Sequence, residues 1–144
     1  TNNATIEITG YQFEIGNTAT DFEQLPFDVS LRRCQRYQER IDKSTTESVI
    51  CIGQGTSGSS IFGRINFATE KRAVPSATIS DASHIQGLTG SAGAWSNASG
   101  ASLQAGDERT MRLALTGMSG MTTGGCHEVR INDSNGYIMI ESEI

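Results

Sequence analysis

Charge is in short supply in this chain. Only 19 % of the 144 residues are Asp, Glu, Lys or Arg, and 11 basic side chains stand against 16 acidic ones. That balance argues against a nucleic-acid partner or an anionic membrane drawn in by a general positive field. Histidine is scarcer still. His84 and His127 are the whole supply, so a nucleophile with a histidine base can be assembled in few ways. Cysteine is present as Cys34, Cys51 and Cys126, which cannot all pair within one chain and match no C-x-x-C framework. They read as reduced and mostly buried, as in a protein assembled in a cytosol. Long apolar runs are missing as well. "SVICIG" is far too short to span a bilayer, and membrane insertion is not expected.

What the chain does have is 16 glycines and abundant Ser, Thr, Ala and Asn, a composition typical of β-rich extracellular or virion proteins. A chain of this length forms about one domain and buries roughly 70 % of its unfolded surface, so it needs no metal or disulfide to fold. "ATIEITGYQFEIG" alternates Ile6, Ile8 and then Tyr11, Phe13, Ile15 against polar neighbours, predicting one or two strands before residue 16, with Gly10 at a bulge or break. Beyond the connector "NTATDFEQLPF", the apolar positions Phe27, Leu31, Cys34 and Tyr37 are spaced as on a helix. A short helix is therefore predicted near residues 27–37, with Asp28 or Ser30 available as N-cap and Phe27, Leu31 and Cys34 as its docking face.

After "DKSTTE" the pattern is strand after strand. "SVICIGQG" is a short apolar run, "SIFGRINFAT" places Ile61, Gly63, Ile65 and Phe67 on one face, and "AVPSATIS" suits an edge because it follows a proline. Residues 86–106 are glycine-rich and can hold only loops and short strands, and "RTMRLALTG" alternates again. "GCHEVRIND" and "GYIMIESEI" bracket Asn135-Gly136, the dipeptide of a type I′ turn, so the chain is expected to end in a β-hairpin. About eight short strands with one helix predict an all-β fold, an antiparallel β-sandwich of jelly-roll-like form.

The run "YQFEIGNTATDFEQLPFDVSLRRCQRYQE" resembles one found in bacteriophage tail-fibre and tail-spike proteins, in which "QLE-G-ATxFE" closes one β-sandwich module and "LxxCQRYYE" opens the next. The matching residues are Gln12, Phe13, Glu14, Gly16, Ala19, Thr20, Phe22 and Glu23, then Leu31, Cys34, Gln35, Arg36, Tyr37 and Glu39. "KRAVPSATIS" and the closing "IMIESEI" are similar to two further strands of those proteins, "MRAxPTVT" and "IxIDAEL". The departures are Phe13 for leucine, Arg32 and Arg33 where smaller or acidic residues are common, and Gln38 for tyrosine. The resemblance implies residues 1–25 closing a preceding module and residues 26–144 forming a C-terminal β-sandwich domain. It also implies a virion location on the phage tail after assembly in the host cytoplasm, a homotrimer, and contacts with other virion tail proteins.

Two functional readings follow. In one, the domain is a receptor-binding module whose distal loops contact a host surface polysaccharide; in the other, it is a structural trimerisation or capping domain with no ligand. A lone tryptophan in a Gly/Ser/Asn-rich segment makes Trp95 the first candidate, because sugar C–H faces stack on aromatic rings. Asn97, His84 and Tyr137 could add hydrogen bonds. Arg32, Arg36 and Arg40 are four apart and would share one helix face, suited to a carboxylate of a neighbouring chain more than to a ligand, although a solvated face partly neutralised by Glu39, Asp28 and Asp42 is the simpler explanation. No enzyme activity, catalytic residue, metal or cofactor is expected. Cys126 and His127 are adjacent on a strand and so point to opposite faces. "NDSNG" lacks the spacing of a calcium loop, the Gly-rich segments lack the lysine of a phosphate loop, and Glu141 with Glu143 reads as a solvated strand edge rather than a glycosidase pair.

Overall fold

The computed structural model describes residues 13, 15–18, 21, 25–43, 48–90 and 93–142. One helix, α1 (Phe27–Gln35), precedes the strands β1 (Gln38–Asp42), β2 (Ser48–Ser57), β3 (Ser60–Asn66) and β4 (Ser76–Ile79). A single 3₁₀ turn at Ala82–His84 leads into β5 (Ile85–Leu88), followed by β6 (Trp95–Asn97), β7 (Gly100–Ala105), β8 (Thr110–Thr116), β9 (Cys126–Ile131) and β10 (Tyr137–Glu141). All pairings are antiparallel. One sheet has three strands in the order β1-β10-β4, and the other has seven in the order β6-β5-β9-β2-β3-β8-β7. Together they form the expected β-sandwich. Among the described residues, no helix is long and apolar enough to cross a membrane.

The alternation in the sequence decides which faces meet. In β3, Ile61 and Ile65 are buried while Phe62, Arg64 and Asn66 face out, and β8 and β9 put Met111, Leu113, Leu115, Val129 and Ile131 inside, with Ala114 on the outward side of β8 buried as well. Ile138 and Ile140 of β10 supply the facing layer, with Ile41, Ala77 and Ile79 of its neighbours packed against them. Each fully buried side chain of this size contributes about 1.5–3 kcal/mol. Glycine admits the close approach at the middle of the large sheet. Gly53 lies opposite Gly63, and a Cβ on Gly63 would stand 2.7 Å from Cys51 Sγ. The β4 strand is an edge, as its proline predicts.

The terminal hairpin does not form. β9 lies between β5 and β2 in the large sheet, and β10 lies between β1 and β4 in the small one. Residues 132–136 therefore carry the chain from one layer to the other. Asn135 N donates to Asp133 Oδ1 at 2.7 Å and Gly136 N to Asp133 O at 3.0 Å, which makes an Asx-stabilised turn. Neither Asn135 nor Gly136 has positive φ, so this is not a type I′ turn. Gly136 serves close packing instead: it is buried, and a Cβ there would lie 3.1 Å from His84 Cβ. Two strands that each bury two large aliphatics bury more by being central in separate sheets than by pairing at one edge.

The helix is present but does not dock by its apolar face. Phe27 is 81 % exposed, Leu31 is half-exposed and Cys34 is exposed, because the two sheets close the core without them. Its N-cap is Pro26, with no side-chain cap, rather than Asp28 or Ser30. Arg32 lies on the helix and Arg36 at its C-cap, but Arg40 belongs to β1, so the three arginines do not share a helix face. Of the strands expected before residue 16, Phe13 and Ile15–Thr18 are exposed and not strand; the remainder of residues 1–12, Glu14, Ala19, Thr20 and Phe22–Gln24 lie outside the described residues, as does Glu143.

α1 is held by its C-terminal end. Lys71 Nζ, with a side chain 0 % exposed, donates to Gln35 O and to Glu39 Oε2, both at 2.6 Å, and sits 5.2 Å from the centre of the Phe67 ring. Glu39 also accepts from Ala68 N, so both partners of this buried pair are bonded beyond each other. Removing one partner leaves the other buried and unpaired. Lys71→Met is expected to cost about 3–5 kcal/mol in urea unfolding, and adding Glu39→Gln should recover about 1–3 kcal/mol of coupling. Strictly additive costs would show that the pair is not the tie described.

Candidate functional site

The β5–β6 hairpin places Gln86 opposite Asn97 and Leu88 opposite Trp95, while β9 places Arg130 on the other side of Gln86. Side chains of alternate residues share a face, so Asn97, Gln86 and Arg130 form a row across three strands on the outer face of the large sheet. Gln86 fixes the row from its centre: its Nε2 donates to Asn97 Oδ1 at 2.6 Å, and its Oε1 accepts from Arg130 Nε at 3.0 Å. The Arg130 guanidinium carbon lies 3.8 Å from the centre of the Trp95 ring, within the range of a cation–π contact. Trp95 is half-buried. Among the described residues, no group accepts from Arg130 Nη1 or Nη2 or from Asn97 Nδ2. Free planar donors therefore stand beside an indole on a sheet edge.

The edge is braced from below. Ser119 N donates to Ser96 Oγ at 2.9 Å, tying β6 to the 117–125 loop, and that loop is anchored by buried Met118 and Met121. His127 is buried on the inner face, with Nδ1 2.7 Å from Leu88 O and Nε2 3.2 Å from Thr122 N. Its Nε2 lies 3.2 Å from Thr122 O as well, so both ring nitrogens are held by backbone groups. Cys126, next along β9, is exposed, so the two side chains do take opposite faces. Among the described residues, no three of His, Cys, Asp and Glu come together as a metal set would require.

The structure brings Trp95 and Asn97 together and takes His84 and Tyr137 elsewhere. His84 Nδ1 lies 2.9 Å from Ser80 Oγ, and its Nε2 lies 4.0 Å from Asp133 Oδ1. Tyr137 N donates to the same Ser80 Oγ at 3.0 Å. Both residues thus brace the crossing between sheets, and the Tyr137 ring lies beneath Arg40, 4.4 Å from its guanidinium carbon. Arg40 Nε also donates to Asp42 Oδ1 at 2.6 Å. The Arg32 and Arg36 carbonyls serve the helix end and the neighbouring loop, accepting from Arg36 N and Arg72 N respectively. Nothing in the sequence marks Gln86 or Arg130: each stands at an outward position of a strand, 44 positions apart, and only the sheet order makes them neighbours.

Of the cysteines, only Cys51 is buried, contrary to the expectation for Cys34 and Cys126. Cys34 is exposed because its helix does not dock, and Cys126 because it takes the outward position beside inward His127. Burial pushes the Cys51 thiol up to about 11, so it stays protonated at any pH below that value and presents no thiolate nucleophile. Titration of the native chain with dithionitrobenzoate should therefore release two thiols rapidly, Cys34 and Cys126, and the third only in concentrated guanidinium chloride. Three fast thiols would place Cys51 outside the core.

Compared with protein-family models, curated proteins and solved structures, this chain finds no match.

Proposed function

We propose that this chain is the C-terminal domain of a phage tail-fibre or receptor-binding protein, carried on the virion tail as a homotrimer, and that it holds a host surface glycan. The observation that carries this reading is the Trp95–Arg130–Gln86–Asn97 row. A sugar ring offers an apolar C–H face and a rim of vicinal hydroxyls. An indole meets the first, and planar amide and guanidinium groups fixed in one orientation meet the second. Because Gln86 already orders its two neighbours, little side-chain freedom is lost on binding. The contact surface in this reading is a sheet edge rather than distal loops, and its residues are Trp95, Asn97, Gln86 and Arg130. The run from Gln12 to Glu39 that resembles tail-fibre proteins supports the virion assignment.

The alternative, a trimerisation or capping domain with no ligand, draws support from α1, where Phe27 and Leu31 stand exposed four residues apart, with Arg32 and Arg36 alongside. In the glycan reading, Trp95→Ala is expected to lower adsorption of the purified trimer to host cells by about 30-fold or more, the scale of a binding hot spot. Gln86→Leu should weaken it several-fold, and light scattering should still report three chains in both variants. A trimer lost in Phe27→Ser, together with wild-type protein that does not adsorb to cells, would favour the capping domain.

A further inference from the structure

The outer face of the large sheet continues beyond Arg130. Glu128 lies beside Ile52, and Arg64 lies opposite Arg112 between β3 and β8. Around this second pair runs an open groove of about 530 Å³ lined by Ile52, Gln54, Phe62, Arg64, Thr110 and Arg112. Its apolar residues are open to solvent: Ile52 is 66 % and Phe62 39 % exposed.

Two like charges directly opposite each other across a strand pair are unfavourable, and among the described residues no carboxylate forms an ion pair with either. Arg112 donates to Gln104 Oε1 and stacks 4.8 Å from the centre of Phe62, so its partners are neutral. Arg64 makes no hydrogen bond or ion pair among the described residues. The carboxylate it acts on electrostatically, Asp107, is already engaged, because Asp107 Oδ1 accepts from Arg109 N and Thr110 N at 2.8 Å each. Glu128 also stands on this face, beyond Ile52 on the side toward Trp95.

We propose that this groove is an anion subsite that takes the carboxylate of an acidic, linear polysaccharide whose neighbouring sugars reach Trp95. The charge pattern commits the occupant. Two guanidinium forks match the planar, two-oxygen geometry of a uronate carboxylate, and Ile52 and Phe62 offer an apolar floor to the ring that bears it. Trp95 and Arg64 are four strand spacings apart, about 19 Å along the sheet, a span suited to a chain of sugars rather than one. The protein as a whole carries a net charge of −5, so a polyanion is not drawn by the general field and has to be held by this local pair. The subsite rests on the glycan reading of the Trp95 row and adds the class of sugar.

The test uses immobilised polygalacturonate, alginate and hyaluronan, each native and after reduction of its carboxyls to neutral alcohols, with adsorption to host cells measured in parallel. At least one native polyuronate is expected to bind, its carboxyl-reduced form about tenfold more weakly. Arg64→Gln with Arg112→Gln should bring native binding down to the reduced level and leave binding of the reduced form unchanged, whereas Trp95→Ala should lower both. Equal binding of native and reduced forms, a double variant that binds like wild type, or adsorption to cells through Trp95 without binding any of the three polyuronates overturns the subsite and leaves the glycan reading standing. Failure to bind both cells and polysaccharides overturns the two together.

Discussion

The buried Lys71 ammonium is the point on which one whole end of the sandwich depends. An ammonium without water is costly to bury, and this one is met by the Glu39 carboxylate, the Gln35 carbonyl and the Phe67 ring. Those three partners belong to β1, the end of α1 and the loop after β3, so satisfying one charge gathers three separate segments. Further bonds run from the same knot. Lys71 N donates to Glu108 O, Arg72 N to Arg36 O, and Ser142 N to Tyr37 O, while Ser142 Oγ both accepts from Ala73 N and donates to Ala73 O. The helix is thereby fixed without burying any of its residues, which leaves Phe27 and Leu31 in solvent.

The opposite constraint governs the large sheet. Its inner face has glycine at residues 53, 55, 63 and 87, and the spaces there are filled by Ile61, Cys51, Met118 and the 121–127 segment. Packing that dense leaves the inner face no room for function. Chemistry is pushed to the outer face, where side chains answer only to their cross-strand neighbours. Both outer groups of interest share one physical form: an arginine laid on an aromatic ring, Arg130 on Trp95 and Arg112 on Phe62, with a glutamine holding it.

Much of the fold was legible because period-two alternation is a local property. β3, β8 and β9 follow the alternation of "SIFGRINFAT", "RTMRLALTG" and "GCHEVRIND", and the helix lies where the spacing of Phe27, Leu31 and Cys34 put it. The same local signals misled wherever the outcome depended on a distant partner. Asn135-Gly136 carries hairpin chemistry, yet β9 and β10 each found better neighbours in different sheets. Phe27, Leu31 and Cys34 describe a docking face, yet the core was already closed. Of the site residues, Trp95 stood out because it is the only tryptophan, and Asn97 lies two residues from it on the same strand face. Gln86 and Arg130 carry no such mark.

By itself the sequence determined the all-β character, the short helix after Pro26 and the inward aliphatics of β3, β8 and β9, since each follows from residue type and spacing along the chain. Only the tertiary structure decided that Lys71 is a buried tie and that His84 and Tyr137 brace a crossing. It alone set Gln86 between Asn97 and Arg130, and Arg64 opposite Arg112. Those outcomes turn on which strands lie side by side, and strand order is settled by burial summed over the whole chain rather than by any stretch of it.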